Sequence, residues 1–144
     1  IFHLGYLLLL DRMDAPHPSA GTQAASLLKA LQAAGIKTSV DVVSEESDRF
    51  RTVVPPALRH VNYLILNEIE AARVVGRSVR SPDGALDARQ LVDVVNELYR
   101  FGDMDVVAVH MPEGAYVRDR DGGFRRGHVH SPAIVADATH LVQR

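Results

Sequence analysis

Apolar and polar positions along this chain follow two periods, and their order predicts its elements. Ile1 to Leu10 is a near-continuous apolar run, as expected of a strand covered on both faces. A proline-rich loop, "DAPHPSAG", follows from Asp14 to Gly21. The segment "TQAASLLKALQAAG" then places Ala25, Leu28, Leu31 and Gln32 near one face at helical spacing, with Gly35 as a natural stop. "KTSVDVV" reads as the next strand and ends at "SEES". Asp48 to His60 has a helical pattern that Pro55 and Pro56 should interrupt or kink.

Asn62 to Leu66 is the third strand, and Glu68 to Val75 is a short helix stopped by Gly76. After a loop, "RSVRSPDGALD", Asp87 and Gln90 have the spacing of a variant capping box. They open the helix "ARQLVDVVNELYRFG", which Gly102 should end. "MDVVAVHM" is a fourth strand. It enters a tight turn with Pro112 and Gly114, and a further strand follows. "GAYVRD", "RDGG" and "FRRGHVH" read as a hairpin turning at Asp121, Gly122 and Gly123.

Strands alternating with helices predict an α/β fold: three αβα layers around a mostly parallel, doubly wound sheet, with a β-hairpin at the end. With 144 residues, 47% of them hydrophobic, the chain is sized for one domain with a real core. The formal net charge is -2, with both signs scattered. No basic stripe points to nucleic acid and no polybasic cluster to a membrane surface. "YLLLL", from Tyr6 to Leu10, is far too short to span a bilayer. The absence of cysteine removes thiolate chemistry and disulfides and is compatible with a cytoplasmic location.

In open α/β sheets ligands sit outside the carboxyl ends of the strands. The polar groups that matter are therefore Asp41 and Ser44, Asn67 and Glu70, and His110 to Gly114. Asn67 and Glu70 have the spacing of a capping box, with negative charge where the helix dipole favours it. The same amide and carboxylate at a strand end could hold a hydrated Mg²⁺ and phosphate oxygens. The two readings are compatible. Asp41 fits a chain leaving the core as well as it fits a site. Gly114 fits ordinary turn chemistry as well as a backbone that lets a nucleotide approach. His128 and His130 alternate along one predicted strand, but no third ligand accompanies them, and they read as surface residues. The chain has no G-x-x-x-x-G-K-[S/T], G-x-G-x-x-G or G-x-S-x-G motif, which argues against common nucleoside triphosphatases, dinucleotide enzymes and α/β-hydrolases.

Singly these signals are weak, but their order is more specific. A strand with "HLGY" precedes a helix ending at Gly35 and a strand bearing Asp41. Next comes "VNYLILNEIEAARVVG", and last "VVAVHMPEGAYVRDRDG". This order resembles the ribokinase-like (PfkB) family of carbohydrate and nucleoside kinases. The N-x-x-E motif, Asn67 to Glu70, carries most of the likeness, together with the strand-turn-strand from Val106 to Val117.

The resemblance implies a ribokinase-like fold and phosphoryl transfer from ATP to the hydroxyl of a sugar-like small molecule. It implies ATP and Mg²⁺ as cofactors. Asn67 and Glu70 would organise the metal through its waters, and Asp41, Asn67 and Gly114 would lie at the phosphates and nucleotide. It implies neither a nucleic-acid nor a membrane partner, and it allows a homodimer. The family's G-x-G-D motif, source of the catalytic base, should follow the hairpin. Here "SPAIVADATHLVQR" stands where that motif falls due, so no residue is assigned as the base, Asp137 included. Residues 1–144 thus read as one partial domain, without the amino-terminal lid part or the G-x-G-D part. Alone, they should not turn over substrate. The alternatives are a non-catalytic sugar- or nucleotide-binding relative and an unrelated doubly wound α/β domain.

Overall fold

In the computed structural model, residues 1–122 are described. Five strands form one sheet in the order β1 (Phe2–Leu7), β4 (Thr38–Val42), β5 (Tyr63–Asn67), β6 (Val106–Met111) and β7 (Gly114–Asp119). The first four run parallel and β7 returns antiparallel to β6. A two-stranded ribbon pairs β2 (Pro16–His17) with β3 (Gly21–Thr22). The helices are α1 (Asp11–Asp14), α2 (Gln23–Ala33), α3 (Phe50–Leu58), α4 (Glu68–Val75) and α5 (Ala88–Leu98). The α/β class expected from the pattern holds, with a mostly parallel sheet and flanking helices, and β6 and β7 form a hairpin at one edge of the sheet.

Every step from β1 to β4, β5 and β6 moves the same way across the sheet. Parallel crossovers are right-handed in nearly all proteins, so α2 to α5 fall on one face. Val40, Leu64, Leu66, Val107 and Val109 point to that face and are buried completely. They pack with Leu28, Leu58, Leu91 and Leu98 from the helices. The alternate residues face the other way. Among them Ile65 is 39% exposed, and His3 and His110 are exposed. Among the described residues, then, the sheet has one covered and one open face.

Three local features differ from the sequence reading. The apolar run at the start makes a strand of only six residues. Its register to β4 shifts between Leu4 and Leu7; Tyr6 (φ 65°) within that shift and Leu8 (φ 82°) just after the strand take left-handed backbone that side chains disfavour. The short helix α1 ends where the proline-rich loop begins, and the loop itself forms most of the β2–β3 ribbon. Helix α3 runs through Pro55 and Pro56 without ending there. Their missing N–H groups deprive the carbonyls of Arg51 and Thr52, both exposed residues that water can satisfy.

The predicted helix stops hold in part. Gly76 caps α4 in left-handed backbone (φ 78°), and Gly35 (φ 77°) follows α2. Gly102 does not end α5, which closes four residues earlier at Leu98. Its lack of a side chain serves another purpose: a Cβ there would lie 2.0 Å from the Leu58 carbonyl oxygen. The predicted hairpin at Asp121 to Gly123, and His128 and His130, extend outside the described residues.

Candidate functional site

Tyr63–Asn67 is a strand because it alternates buried aliphatics, Leu64 and Leu66, with partly covered residues. It must end at Asn67, because the next residues turn directly into α4. Asn67 is the N-cap. Its Oδ1 accepts from the Glu70 backbone N–H at 2.8 Å, and Glu70 Oε2 accepts from the Asn67 backbone N–H at 2.8 Å. The capping box read from the sequence is therefore present in both directions.

The box is tied to a third residue. Ser44, on the loop after β4, donates its hydroxyl to Glu70 Oε1 at 2.8 Å, and its Oγ accepts from Asn67 Nδ2 at 2.9 Å. Asn67, Glu70 and Ser44 thus close a ring of hydrogen bonds across the carboxyl ends of β4 and β5. Glu70 is 4% exposed while Ser44 is exposed, so the ring's outer edge meets solvent at Ser44. Ser44 belonged to the strand-end polar groups, but no sequence spacing links it to residues 23 and 26 positions away.

The remaining predicted site residues lie around this ring. Asp41 is one residue short of the end of β4, in register with Ile65, and therefore on the open face. Its Oδ1 accepts from the Val42 backbone N–H at 2.8 Å. Its carboxylate is not part of the Ser44 ring. His110 pairs directly with Asn67 across β5 and β6. Gly114 opens β7 opposite Met111, buried and with φ 149°, a backbone that glycine adopts most readily.

The ring has the valence for a hydrated cation. Asn67 Nδ2 carries a second N–H beyond the one given to Ser44, and each Glu70 oxygen accepts one bond where it can accept two. With Glu70 so buried, there is little open edge for direct chelation. No group of three or more His, Asp or Glu side chains among the described residues forms a metal cage. The arrangement suits an ion that keeps several waters and binds mainly through substrate phosphates, as Mg²⁺ does.

A second cluster borders the site. Glu68, the first residue of α4 and 6% exposed, accepts from Arg80 Nη2 at 2.9 Å. Glu113, in the β6–β7 turn, accepts from the same guanidinium at 2.7 and 2.9 Å. Arg80 holds the Glu113 carboxyl below the usual carboxylate range. The two carboxylates in turn raise the Arg80 guanidinium above its ordinary value. Sequence reasoning missed this cluster because its members are 12 and 33 residues apart. Among the described residues, no helix is long and apolar enough to cross a membrane.

No protein-family model and no curated protein matches the sequence. Solved structures do match, and they bear out the ribokinase-like resemblance. Phosphofructokinase-2 from Escherichia coli, in its tetrameric inhibited form, is 25% identical with a TM-score of 0.50, over 67% of this chain and 29% of that one. Ribokinase from Arabidopsis thaliana, complexed with ribose and ATP, is 17% identical with a TM-score of 0.54, over 72% and 30%. Aminoimidazole riboside kinase from Salmonella enterica, complexed with aminoimidazole riboside and an ATP analogue, is 13% identical with a TM-score of 0.57, over 86% and 38%. The match spans 29% to 38% of the length of these three kinases.

Proposed function

From a ribokinase-like fold with an N-x-x-E ring at a strand's carboxyl end, we propose that this chain supplies the phosphate- and metal-organising part of an ATP-dependent carbohydrate kinase. The whole protein would transfer the γ-phosphoryl group of ATP to a hydroxyl of a sugar or related small molecule. The observation that carries the reading is the Ser44–Asn67–Glu70 ring at the carboxyl end of β5. It is rigid, polar and edge-exposed at the place where open α/β sheets bind ligands.

Phosphoryl transfer needs positioning and charge stabilisation more than covalent chemistry from the protein. Bound Mg²⁺ would supply the positive charge that offsets the phosphate oxygens. Asn67 and Glu70 would hold that ion through its waters, Asn67 with its spare N–H and Glu70 with its remaining acceptor sites. Ser44 would keep the Glu70 carboxylate from rotating. Asp41 and Asn67 would flank the phosphates on the open face, and Gly114 would shape the nucleotide wall. No residue of the chain is assigned as the base that takes the hydroxyl proton, so residues 1–144 alone are expected to bind without turnover.

Titration of ATP with and without Mg²⁺ into wild type and Glu70→Gln tests this reading. Metal-dependent ATP binding that weakens about tenfold or more in Glu70→Gln is expected, since a charge-assisted contact is replaced by a neutral one. Binding that ignores both Mg²⁺ and the substitution would sink the assignment. Turnover by these 144 residues, abolished by Glu70→Ala, would overturn the expected inactivity.

A further inference from the structure

The Arg80 cluster joins the two elements that the proposed site depends on. Helix α4 carries Asn67 and Glu70 at its amino end, and Glu68 is its first residue. The β6–β7 turn carries Gly114, and Glu113 immediately precedes it. Between them stands Arg80. Its Nη1 donates to Glu113 Oε1 at 2.7 Å and its Nη2 to Glu113 Oε2 at 2.9 Å, a two-pronged pair. Nη2 also reaches Glu68 Oε1 at 2.9 Å, and Nη1 reaches the Gly84 carbonyl at 2.9 Å.

Arg80 is itself held in place. Its backbone bridges to Leu86, its N–H donates to Ser78 Oγ at 3.1 Å, and its carbonyl accepts from the Ser78 hydroxyl at 2.8 Å. The guanidinium therefore projects from a braced loop, and its planar fork loses less rotamer freedom per hydrogen bond than an ammonium would.

We infer that Arg80 is a positioning residue that locks the Pro112–Gly114 turn against the amino end of α4, fixing the turn's place relative to Asn67 and Glu70. The ordinary alternative is a surface ion pair that contributes almost nothing. Three observations weigh against it: the bidentate geometry, the second carboxylate at 6% exposure, and the network of more than two charges. A buried Glu68 also needs a partner, so releasing Arg80 would strain both ends of the link. The β6–β7 pairing closes the turn at Met111 and Gly114, but it does not fix the turn's place against α4. Pro112 has no N–H to donate, and Gly114 sits in backbone that other residues adopt poorly. That locking the turn serves nucleotide binding rests on the function proposed above; the lock itself does not.

Amide hydrogen exchange on the 144-residue chain reads the lock directly, and a parallel Mg²⁺–ATP titration reads its use. Arg80→Gln and Glu113→Gln should each speed exchange at Met111 and Glu113 to Ala115 by about fivefold or more, with Leu64 and Val107 in the core unchanged. The double substitution should add little to either single one, because both break the same contact. Arg80→Lys, which keeps the charge and loses the fork, should recover part of the protection. Unchanged exchange at the turn, or equal acceleration at the turn and in the core, would overturn the lock. In the titration, a severalfold loss of ATP affinity in Arg80→Gln is expected. Wild type that binds no ATP while the exchange pattern holds would refute the nucleotide role and leave the lock standing. Wild type that binds ATP with the same affinity as Arg80→Gln would refute the positioning role alone.

Discussion

The two ends of the parallel sheet both carry polar networks, and they differ in what they leave spare. At the amino end, Asn62 is 8% exposed, and its amide oxygen accepts more bonds than it has lone pairs while its nitrogen donates one. Its Oδ1 accepts from the Thr38 backbone N–H at 3.0 Å, from the Thr38 hydroxyl at 3.3 Å and from Gln32 at 3.1 Å. Its Nδ2 donates to Asp105 at 3.1 Å, and Asp105 also receives Lys37 at 2.6 Å and Arg120 at 3.0 Å. This network ties the starts of β4, β5 and β6 together. At the carboxyl end, the Ser44–Asn67–Glu70 ring closes on itself yet keeps a free N–H and free lone pairs beside solvent. A network buried around Asn62 holds strands in register. An unsaturated but rigid one has something left to offer a ligand.

The sharpest way to break this contrast is to strike the amino end and watch stability. Gly102→Ala should have the largest effect, about 3 kcal/mol, because the added methyl meets the Leu58 carbonyl and the backbone must shift. Chemical denaturation measures it, and a loss below about 1 kcal/mol would show that the α3–β6 contact is loose. Asn62→Ala should follow at about 2–3 kcal/mol, since it orphans the Thr38 N–H and part of the Asp105 shell. The midpoint should fall while the ring at the other end keeps its ligand binding.

Acid should act at the amino end next. Lys37, more than Asn62 or Arg120, holds the Asp105 carboxyl below the ordinary aspartate range. A lowered folded value gives stability that is present above the unfolded value and is lost as pH falls through the folded one. An acid titration followed by circular dichroism should therefore show Asp105→Asn flattening the low-pH limb. An unchanged limb would remove Asp105 from the account. The smallest stability effect is expected from Ser44→Ala, at about 1 kcal/mol or less, because the hydroxyl is exposed. Its signature should lie in Mg²⁺–ATP affinity. A large stability loss with unchanged affinity would make the carboxyl-end ring structural, and the contrast between the ends would collapse.

Much of this was legible in the chain, for local reasons. Leu64 and Leu66 alternate, Asn67 and Glu70 stand at capping distance, and Gly76 ends a helix whose stop needs left-handed backbone. Each of these is decided within a few residues. The illegible parts depend on distant partners. Nothing near Arg80 announces that it meets Glu113, and nothing near Gly102 announces the Leu58 carbonyl. That Pro55 and Pro56 do not interrupt α3 was not readable locally, because a proline's effect depends in part on whether water can reach the freed carbonyls. The strained turn after β1 was hidden inside an apolar run that carries no glycine at Tyr6 or Leu8. For the site, both members of the N-x-x-E ring were readable, while Ser44 became its third member only through tertiary contact.

The sheet's neighbour order has a consequence for how the chain can be built. Strands β1, β4, β5, β6 and β7 lie side by side in the order in which a ribosome makes them. Among these five described strands, each after the first pairs with one already synthesised, and none has to be inserted between two earlier ones. This part of the sheet can grow at a single advancing edge, with translation setting the sequence of events.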